Sequence, residues 1–334
     1  MARFIVRRLL QLIPILFGLS VLLFIWVRAL PGDPATTLLG ERATPETVAQ
    51  IKKLYGLDEP VVIQYWAFLK RAVQLNFGNS AKTNRPVTDE MVEKFPATIE
   101  LGASALFIAV VLGIPIGYFA ARRFGSWLDS LSITGSLIGI TVPVFFLGPI
   151  LKLIFAIKLG WLPTAGRQDG RIFSEHPTGF YVLDGILTGN FSASVDAAQH
   201  LILPAITLAT IPLAIIARIT RASVLDVVNE DYVRTAESKG LERGTITRRH
   251  ILRNALLPVV TIIGLQIGLL LSGAILTESV FSIQGVGSFV AQAIAFRDYS
   301  VIQGFTLVFA IIYVVVNLLV DVAYGLIDPR VRVS

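Results

Sequence analysis

The sequence predicts an all-α, polytopic membrane protein with six transmembrane helices, on the grounds of its composition and of six long apolar runs. Hydrophobic residues fill 54% of the 334 positions, charged residues fill only 16%, and the mean hydropathy is +0.70. One soluble core cannot bury that much apolar surface, so the surplus is expected to face lipid. A helix of about 20 apolar residues crosses a hydrocarbon layer about 30 Å thick and satisfies its own backbone hydrogen bonds. The runs are 9–27, 101–121, 131–151, 201–217, 255–277 and 299–320.

The N-terminal part is predicted to hold an anchor and a cap. Residues 1–30 start with a basic stretch, as a signal peptide does, but the apolar run is longer than a signal core and lacks a small-residue cleavage site. This segment is therefore expected to remain as an anchor span. Residues 31–95 have nearly balanced charges and apolar side chains at mixed helical spacing, which predicts a small extracytoplasmic cap of short helices.

The other five runs are predicted to form a five-span core, 96–327, which is followed by a short cytoplasmic tail, 328–334. The shortest of them, 201–217, contains two prolines, Pro204 and Pro212. The segment 160–200 mixes Gly, Pro and polar residues with aromatics, and is predicted to be a loop with one short helix.

Clusters of Lys and Arg predict the orientation, because cytoplasmic flanks of membrane spans are enriched in these residues. If both termini are cytoplasmic, every cluster falls on the cytoplasmic side. The opposite orientation would require all of them to be translocated. The clusters lie at 3–8, 122–123, 218–221, 248–253 and 330–332.

Residues that could support chemistry within this chain are missing or scattered. The absence of Cys excludes disulfides and thiolate catalysis, and no Gly-x-x-x-x-Gly-Lys-Ser/Thr loop is present to hold a nucleotide. His176 and His200 are predicted outside and His250 inside, so they cannot form a metal cluster or a hydrolytic triad. The basic residues form no continuous face for nucleic acid. We therefore expect no catalytic site, no metal, no cofactor and no nucleic-acid partner in this chain.

Ionisable and polar residues inside the spans bear on the source of energy. An ion-coupled carrier needs ionisable groups near the middle of its spans, but Lys152, Lys158, Glu278 and Asp321 lie at span ends. This argues against a carrier. Polar side chains within spans could line a translocation pathway or could join helices by hydrogen bonds. The pathway candidates are Thr141, Gln266, Ser272 and Asn317.

The loop 218–254, between the fourth and fifth runs, contains the start and stop signals of a short helix. Asn229 is the predicted N-cap, and Gly240 supplies a left-handed stop. So short a helix is marginal by itself, and its order is expected to come from packing on its own membrane domain or on another protein. The alternative is that the loop only connects two spans. An apolar stripe is predicted from residues three or four positions apart, namely Leu225, Val228, Tyr232 and Ala236.

This part of the chain resembles the ATPase-coupling loop of binding-protein-dependent ABC importers, and in particular their peptide-transport branch. The residues that carry the resemblance are 232–241 (YVRTAESKGL) and 250–258 (HILRNALLP), the second of which continues into the fifth apolar run. The resemblance extends along nearly the whole chain, and the order and spacing of short segments carry it. These segments are PGDP at 31–34, LYGL at 54–57, FGNS at 77–80, ATIEL at 97–101, GWLP at 160–163, ESVF at 278–281 and DPR at 328–330.

The resemblance implies a type I ABC importer permease subunit in the bacterial cytoplasmic (inner) membrane that moves dipeptides or oligopeptides. Its implied partners are a second, homologous permease, two cytoplasmic ATPases that hold ATP and Mg, an extracytoplasmic solute-binding protein and membrane lipid. Permeases of the same family for nickel complexes, glutathione or haem are alternatives. An ion-coupled carrier and a non-transporting membrane scaffold are the alternatives outside the family.

The resemblance also assigns candidate contacts. Those with the ATPase are expected in the loop, at Tyr232, Arg234, Thr235, Ala236, Lys239, Gly240, Leu241, His250 and Arg253. Docking of the solute-binding protein is expected at Tyr65, Trp66, Trp161 and Glu278; the alternative for the aromatic residues of the cap is that they form the cap's own small core.

Overall fold

The structure is a computed structural model that describes the backbone of residues 2–29, 36, 43–54, 56 and 58–327. The side chains of 2–6, 8–9, 51, 54, 271–273, 321 and 323–327 also lie outside the description. The segment 31–34, the tail 328–334 and the predicted pathway side chain of Ser272 therefore fall outside the described residues.

The predicted all-α class is confirmed. Within the described part of the chain, the only strand-like pairing is an isolated bridge between Asn79 and Pro86. The helices are α1 (Ala2–Ala29), α2 (Pro45–Leu54), α3 (Val61–Val73), α4 (Val87–Arg122), α5 (Trp127–Thr141), α6 (Val144–Leu151), α7 (Tyr181–Leu187), α8 (Phe191–Val228), α9 (Asp231–Ser238), α10 (Arg243–Thr245), α11 (Arg253–Phe281), α12 (Val286–Phe296) and α13 (Tyr299–Ile327). Two stretches have wider, π-helical turns. Lys152–Lys158 extends α6, and Ile246–Leu252 joins α10 to α11.

The described helices allow between five and seven membrane spans, a range that includes the predicted six. Five helical stretches of the described chain are long and apolar enough to cross a membrane, and two bent helix pairs raise this to as many as seven. The five are Leu10–Ala29, Val87–Arg122, Phe191–Val228, Arg243–Leu270 and Tyr299–Val320. The count of six and the side on which each terminus lies stay predictions.

The apolar run 131–151 is not one straight helix, contrary to the prediction. It bends by 103° between α5 and the helix that starts at Val144. The break falls at Val142, which has an extended backbone, and at Pro143. Proline lacks an amide hydrogen and disfavours the helical conformation in the residue before it, which explains the break. A second bent pair, Ala274–Phe281 with Val286–Phe296, turns by 92°.

The chain divides into two compact units, and unit 1 consists of Met1–Pro96 and Gln284–Val315. The segment predicted as a cap holds α2 and α3. Its loop is tied to the start of α13, because Ser80 Oγ donates to Asp298 Oδ2 at 2.6 Å. The core of this unit combines side chains from α1, α3, the start of α4, α12 and α13, among them Leu23, Phe24, Phe68, Val87, Met91, Val286, Ile302 and Phe305.

Unit 2 consists of Ala97–Ile283 and Val316–Ser334. Its long helix α8 covers the predicted run 201–217 and continues well beyond it at both ends, with Pro204 and Pro212 inside the helix. Helices α4 and α8 approach closely where α4 carries glycine. A Cβ on Gly117 would lie 2.3 Å from the carbonyl oxygen of Ala217, so only glycine fits. The core that this packing builds includes Leu101, Ala105, Ala109, Leu208, Ile216, Val259, Leu270 and Phe281.

Candidate functional site

Helix α9 lies at the centre of the loop 218–254. Its N-cap residue is Glu230, and Asn229 instead ends α8 and donates to the carbonyl oxygen of Leu225 at 3.0 Å. The predicted N-cap at Asn229 was therefore wrong by one position. Asn is a preferred N-cap residue, whereas Glu230 makes no side-chain capping bond, so residue preference favoured Asn229 while the backbone starts α9 one residue later.

The predicted stop at Gly240 is confirmed, with φ at +73°. The amide of Gly240 donates to the carbonyl oxygen of Glu237 at 2.9 Å, and the amide of Leu241 donates to that of Ala236 at 3.3 Å. This pair of bonds is the Schellman arrangement, which satisfies the last carbonyls of a helix and requires a left-handed residue. The end of α9 is thereby fixed by its own sequence.

One face of α9 packs on the ends of the membrane helices. Val233 and Ala236 are 1% and 4% exposed, and they share a cluster with Ala121 of α4 and Val224 of α8. The cluster is completed by Ile246, Ile251 and Ala255, from the path into α11. The predicted stripe was correct at Leu225 and Ala236, which belong to this contact, and wrong at Val228 and Tyr232, which are exposed, while Val233 takes the buried position. Ala236 likewise faces the chain's own helices, which corrects its assignment as an outer contact.

The other face of α9 is open. Arg234, Thr235, Lys239 and Gly240 are all exposed, and so are Tyr232, Leu241 and Arg253, whereas His250 is partly buried. Arg234 pairs with Asp231 at 3.7 Å, but both side chains are mostly in solvent, so this pair contributes little to stability. A Cβ on Gly240 would meet no atom within 4 Å. The outer face thus offers a polar, sterically open surface to another protein.

The loop is also tied to itself and to α5. Asn254 Nδ2 donates to the Tyr232 hydroxyl at 3.0 Å, which connects α9 to the start of α11. Arg221 of α8 donates through two nitrogens to the carboxylate of Asp129, one of these bonds being 2.9 Å long. The amide of Gly125 donates to the same carboxylate at 3.0 Å. This bidentate pair was not predicted, since its members are 92 positions apart; Asp129 among apolar residues was its only local signal.

The residues predicted to dock a solute-binding protein divide into two groups. Trp66 and Trp161 are 58% and 69% exposed, so both can contact a partner. Tyr65 instead packs its ring against Phe17 and Phe24 of α1 and shares a hydrogen bond with Ser20 at 2.8 Å. Both its ring and its hydroxyl therefore have partners within unit 1.

Glu278 does not lie on an accessible surface. Its side chain is 0% exposed, and it accepts a hydrogen bond of 2.6 Å from Thr98 Oγ1. This burial corrects the prediction that Glu278 docks a binding protein. The bond joins α4 to the last turns of α11, within unit 2.

The candidate pathway residues lie in different environments. Thr141 is exposed at the bend after α5 and donates to the carbonyl oxygen of Leu137 at 2.7 Å. Gln266 is 3% exposed, and its Oε1 has no hydrogen-bond partner among the described residues. Asn317 is partly buried.

A polar cluster in the loop before α7 was not predicted. Arg167 donates to Glu100 at 2.6 Å and stacks over the ring of Tyr181, which in turn lies flat on His176 with ring centroids 3.6 Å apart. His176 Nδ1 is 4.0 Å from the fully buried carboxylate of Asp184. Desolvation lowers the pKa of His176, and it outweighs the opposing effect of Asp184.

Among the described residues, no group of three or more His, Cys, Asp or Glu could hold a metal ion. The best-formed candidate site is therefore the two-sided helix α9: one face rests on α4, α8 and α11, and the other is free to bind a protein.

Known proteins are similar to nearly the whole chain. The family described as "Binding-protein-dependent transport system inner membrane component" matches residues 113–333, and the corresponding N-terminal family matches residues 1–102. The dipeptide transport system permease protein DppB of Alkalihalophilus pseudofirmus is 44% identical over 332 residues, which cover 99% of this chain and 100% of that protein.

Two further relatives are similar over the same length. The di/tripeptide transport system permease protein DppB of Pseudomonas aeruginosa is 45% identical over 333 residues, or 99% of each chain. The glutathione transport system permease protein GsiC of Escherichia coli is 40% identical over 332 residues, again 99% of each chain.

Proposed function

Because the chain belongs to the family of binding-protein-dependent transport system inner membrane components, we propose that it is the permease subunit of an ATP-driven importer of short peptides. The printed names of the relatives support this substrate class, since they include dipeptide, di/tripeptide and glutathione transport. Glutathione is itself a peptide, so the proposal is short peptides as a class, with dipeptides first. No described contact favours nickel complexes or haem.

The observation that carries the coupling part of the proposal is the two-sided packing of α9. Val233 and Ala236 fasten this helix to the ends of α4, α8 and α11, so a displacement of α9 is passed to helices that cross the membrane. A partner ATPase that binds the outer face can bias the permease only if it binds two conformations with different affinity. ATP and Mg belong, in this proposal, to that partner.

The remaining partners follow from the same proposal. A second permease would complete the translocation path, a pair of ATPases would each hold one coupling loop, and a solute-binding protein would deliver the peptide. Lipid would cover the exposed apolar side chains of the long helices, such as Leu22, Phe107 and Leu319. Trp66 and Trp161 are the side chains that we propose for docking of the binding protein.

A substitution at Gly240 tests the coupling. Gly240→Glu places a charged side chain on the outer face of α9, at a backbone of φ +73°. We expect it to abolish peptide-stimulated ATPase activity of the assembled complex while the protein still reaches the membrane. Full stimulated activity and uptake in this variant would refute the assignment.

Gly189 offers a matched control. It has the same φ of +73° and, like Gly240, nothing within 4 Å of an added Cβ, but it lies between α7 and α8. Gly189→Glu therefore introduces the same charge and the same backbone strain away from the loop. We expect this variant to keep stimulated ATPase activity.

A further inference from the structure

Unit 1 encloses a cavity of about 490 Å³ beside helix α3. This is within the range of about 300–1,000 Å³ that is usual for small-molecule sites. Residues from the end of α1 and from 76–84 and 297–303 complete its walls. The face of α3 that lines it is formed by residues at helical spacing, namely Ile63, Gln64, Ala67, Phe68 and Arg71.

Two of the arginines that line the cavity have no acidic partner among the described residues. Arg28 and Arg71 are both exposed, and they lie close enough for their charges to repel each other. Among the described residues neither forms an ion pair. Arg28 instead donates to the side-chain oxygen of Gln64 and lies 3.5 Å from the ring centroid of Phe24. A planar guanidinium matches the two oxygens of a carboxylate, and an anion would relieve the repulsion between the pair.

The same cavity also offers acidic and apolar groups. Asp58 and Glu59 line it and are exposed, so they can receive a cation. Asp298 is already occupied, because it accepts hydrogen bonds from Ser80 Oγ at 2.6 Å and from the amide of Lys82 at 3.4 Å. Aromatic rings of Phe24, Phe68 and Phe77 add apolar surface.

We infer that this cavity binds a small zwitterion with a free carboxylate and a free ammonium group, the chemical class of short peptides. Arg28 and Arg71 hold the carboxylate, and Asp58 and Glu59 receive the ammonium group. The choice of peptide among zwitterions rests on the proposed function. The site itself belongs to the permease chain and is separate from any solute-binding protein.

Equilibrium binding of radiolabelled dialanine to the full chain in phosphatidylcholine nanodiscs tests this. Saturable binding of dialanine is expected, with dialanine carboxamide and N-acetyl-dialanine each weaker by about tenfold or more, because each lacks one charged contact. Absence of saturable binding, or equal binding of dialanine and its carboxamide, would overturn the inference.

Variants locate the binding in this cavity. Arg71→Gln is expected to weaken dialanine binding by about tenfold or more. Ala67→Phe is expected to block it sterically. The control Arg171→Gln changes an exposed arginine of unit 2 and should bind as the unaltered chain does. Each variant is first checked by size-exclusion chromatography, so that two independent changes remain if one misfolds.

Other outcomes separate the possible ligands and the two proposals. If Arg71→Gln and Ala67→Phe bind dialanine normally, the inference fails. It also fails if these variants change only the binding of anionic phosphatidylglycerol, because the cavity then holds a lipid headgroup. If dialanine binds in an Arg71-dependent way but the assembled complex imports no peptide, the proposed function fails and the cavity assignment stands.

Discussion

His176, in the loop before α7, is expected to make the stability of the protein depend on pH. His176 lies between the ring of Tyr181, the hydroxyl of Ser174 at 3.1 Å and the carboxylate of Asp184 at 4.0 Å. Arg167 and Glu100 complete the charged surroundings, and Arg167 adds to the lowering of the His176 pKa. In the folded protein this side chain therefore stays neutral at a pH where it would be protonated in the unfolded chain.

The expected consequence is a loss of stability in mild acid. The pKa of His176 lies below its ordinary value of 6.5, so the unfolded chain binds more protons as the pH falls below 6.5. The free energy of unfolding should thus be highest above that pH and should decrease as the pH falls toward the folded pKa. Thermal unfolding of the purified protein in detergent between pH 7.5 and about pH 5 measures this.

His176→Gln removes the titrating group and keeps a polar side chain of similar size. This variant should show a weaker dependence of unfolding temperature on pH over the same range. His250→Gln is the control, since it removes a histidine from another loop. An unchanged pH profile in His176→Gln would contradict the account.

At the scale of elements, the contact between α4 and α8 depends on the absence of side chains. Gly117→Ala would bring a Cβ within 2.3 Å of the carbonyl oxygen of Ala217, which is backbone and cannot rotate away. We expect a loss of about 1–3 kcal/mol in the free energy of unfolding. Gly102→Ala in the same helix has open space around it and should be neutral or slightly stabilising. Equal stability of the two variants would refute close packing at Gly117.

The packing of α9 on α4 and α8 leads to a separate prediction. Val233→Ala removes buried methyl groups from the contact with α4 and α8, at an expected cost of about 1–3 kcal/mol. Because α9 would then be less tightly held, ATP hydrolysis should proceed with less peptide uptake per ATP. Thr188→Ala is the control, because Thr188 lies outside the loop 218–254 and makes the same kind of bond, at 2.8 Å to the carbonyl oxygen of Asp184 four residues earlier, so this ratio should stay unchanged. The ratio of uptake to hydrolysis in reconstituted vesicles measures both.

The sequence predicted the end of a helix well where the conformation of one residue determines that end. Gly240 ends α9 because few other residues accept its left-handed backbone, and the sequence contains that information directly. The buried face of α9 was not predictable in the same way, since eight residues make only about two turns and several apolar stripes fit them. Hydropathy did not predict the break at Pro143, because the sequence is uniformly apolar on both sides of it.

Long-range contacts explain what else escaped prediction. The pair of Asp129 and Arg221 and the bond of Thr98 to Glu278 join positions far apart in the chain, 92 and 180 residues respectively. Nothing in the local sequence of either partner identifies the other. Glu278 at the end of an apolar run therefore suggested an exposed docking residue, whereas the fold buries it.

At the scale of the whole molecule, each of the two units has its own apolar core and its own polar ties. Unit 2 carries the loop 218–254 and the helices to which that loop is fastened. Unit 1 carries the segment predicted as a cap, with the cavity beside α3. The proposed contact with an ATPase and the proposed ligand cavity therefore lie in different units.

The central claim is that the outer face of α9 binds a partner ATPase, and the lack of cysteine in this chain allows a direct measurement. Single cysteines at Lys239, at Val233 and at Arg171 place a thiol on the outer face, on the buried face and in a different loop. Cross-linking of the assembled complex should join the Lys239→Cys variant to the ATPase, with a yield that changes when ATP is added. Val233→Cys and Arg171→Cys should give no such product. A complex that imports peptide while Lys239→Cys forms no cross-link, or forms no more than Arg171→Cys, would contradict the account.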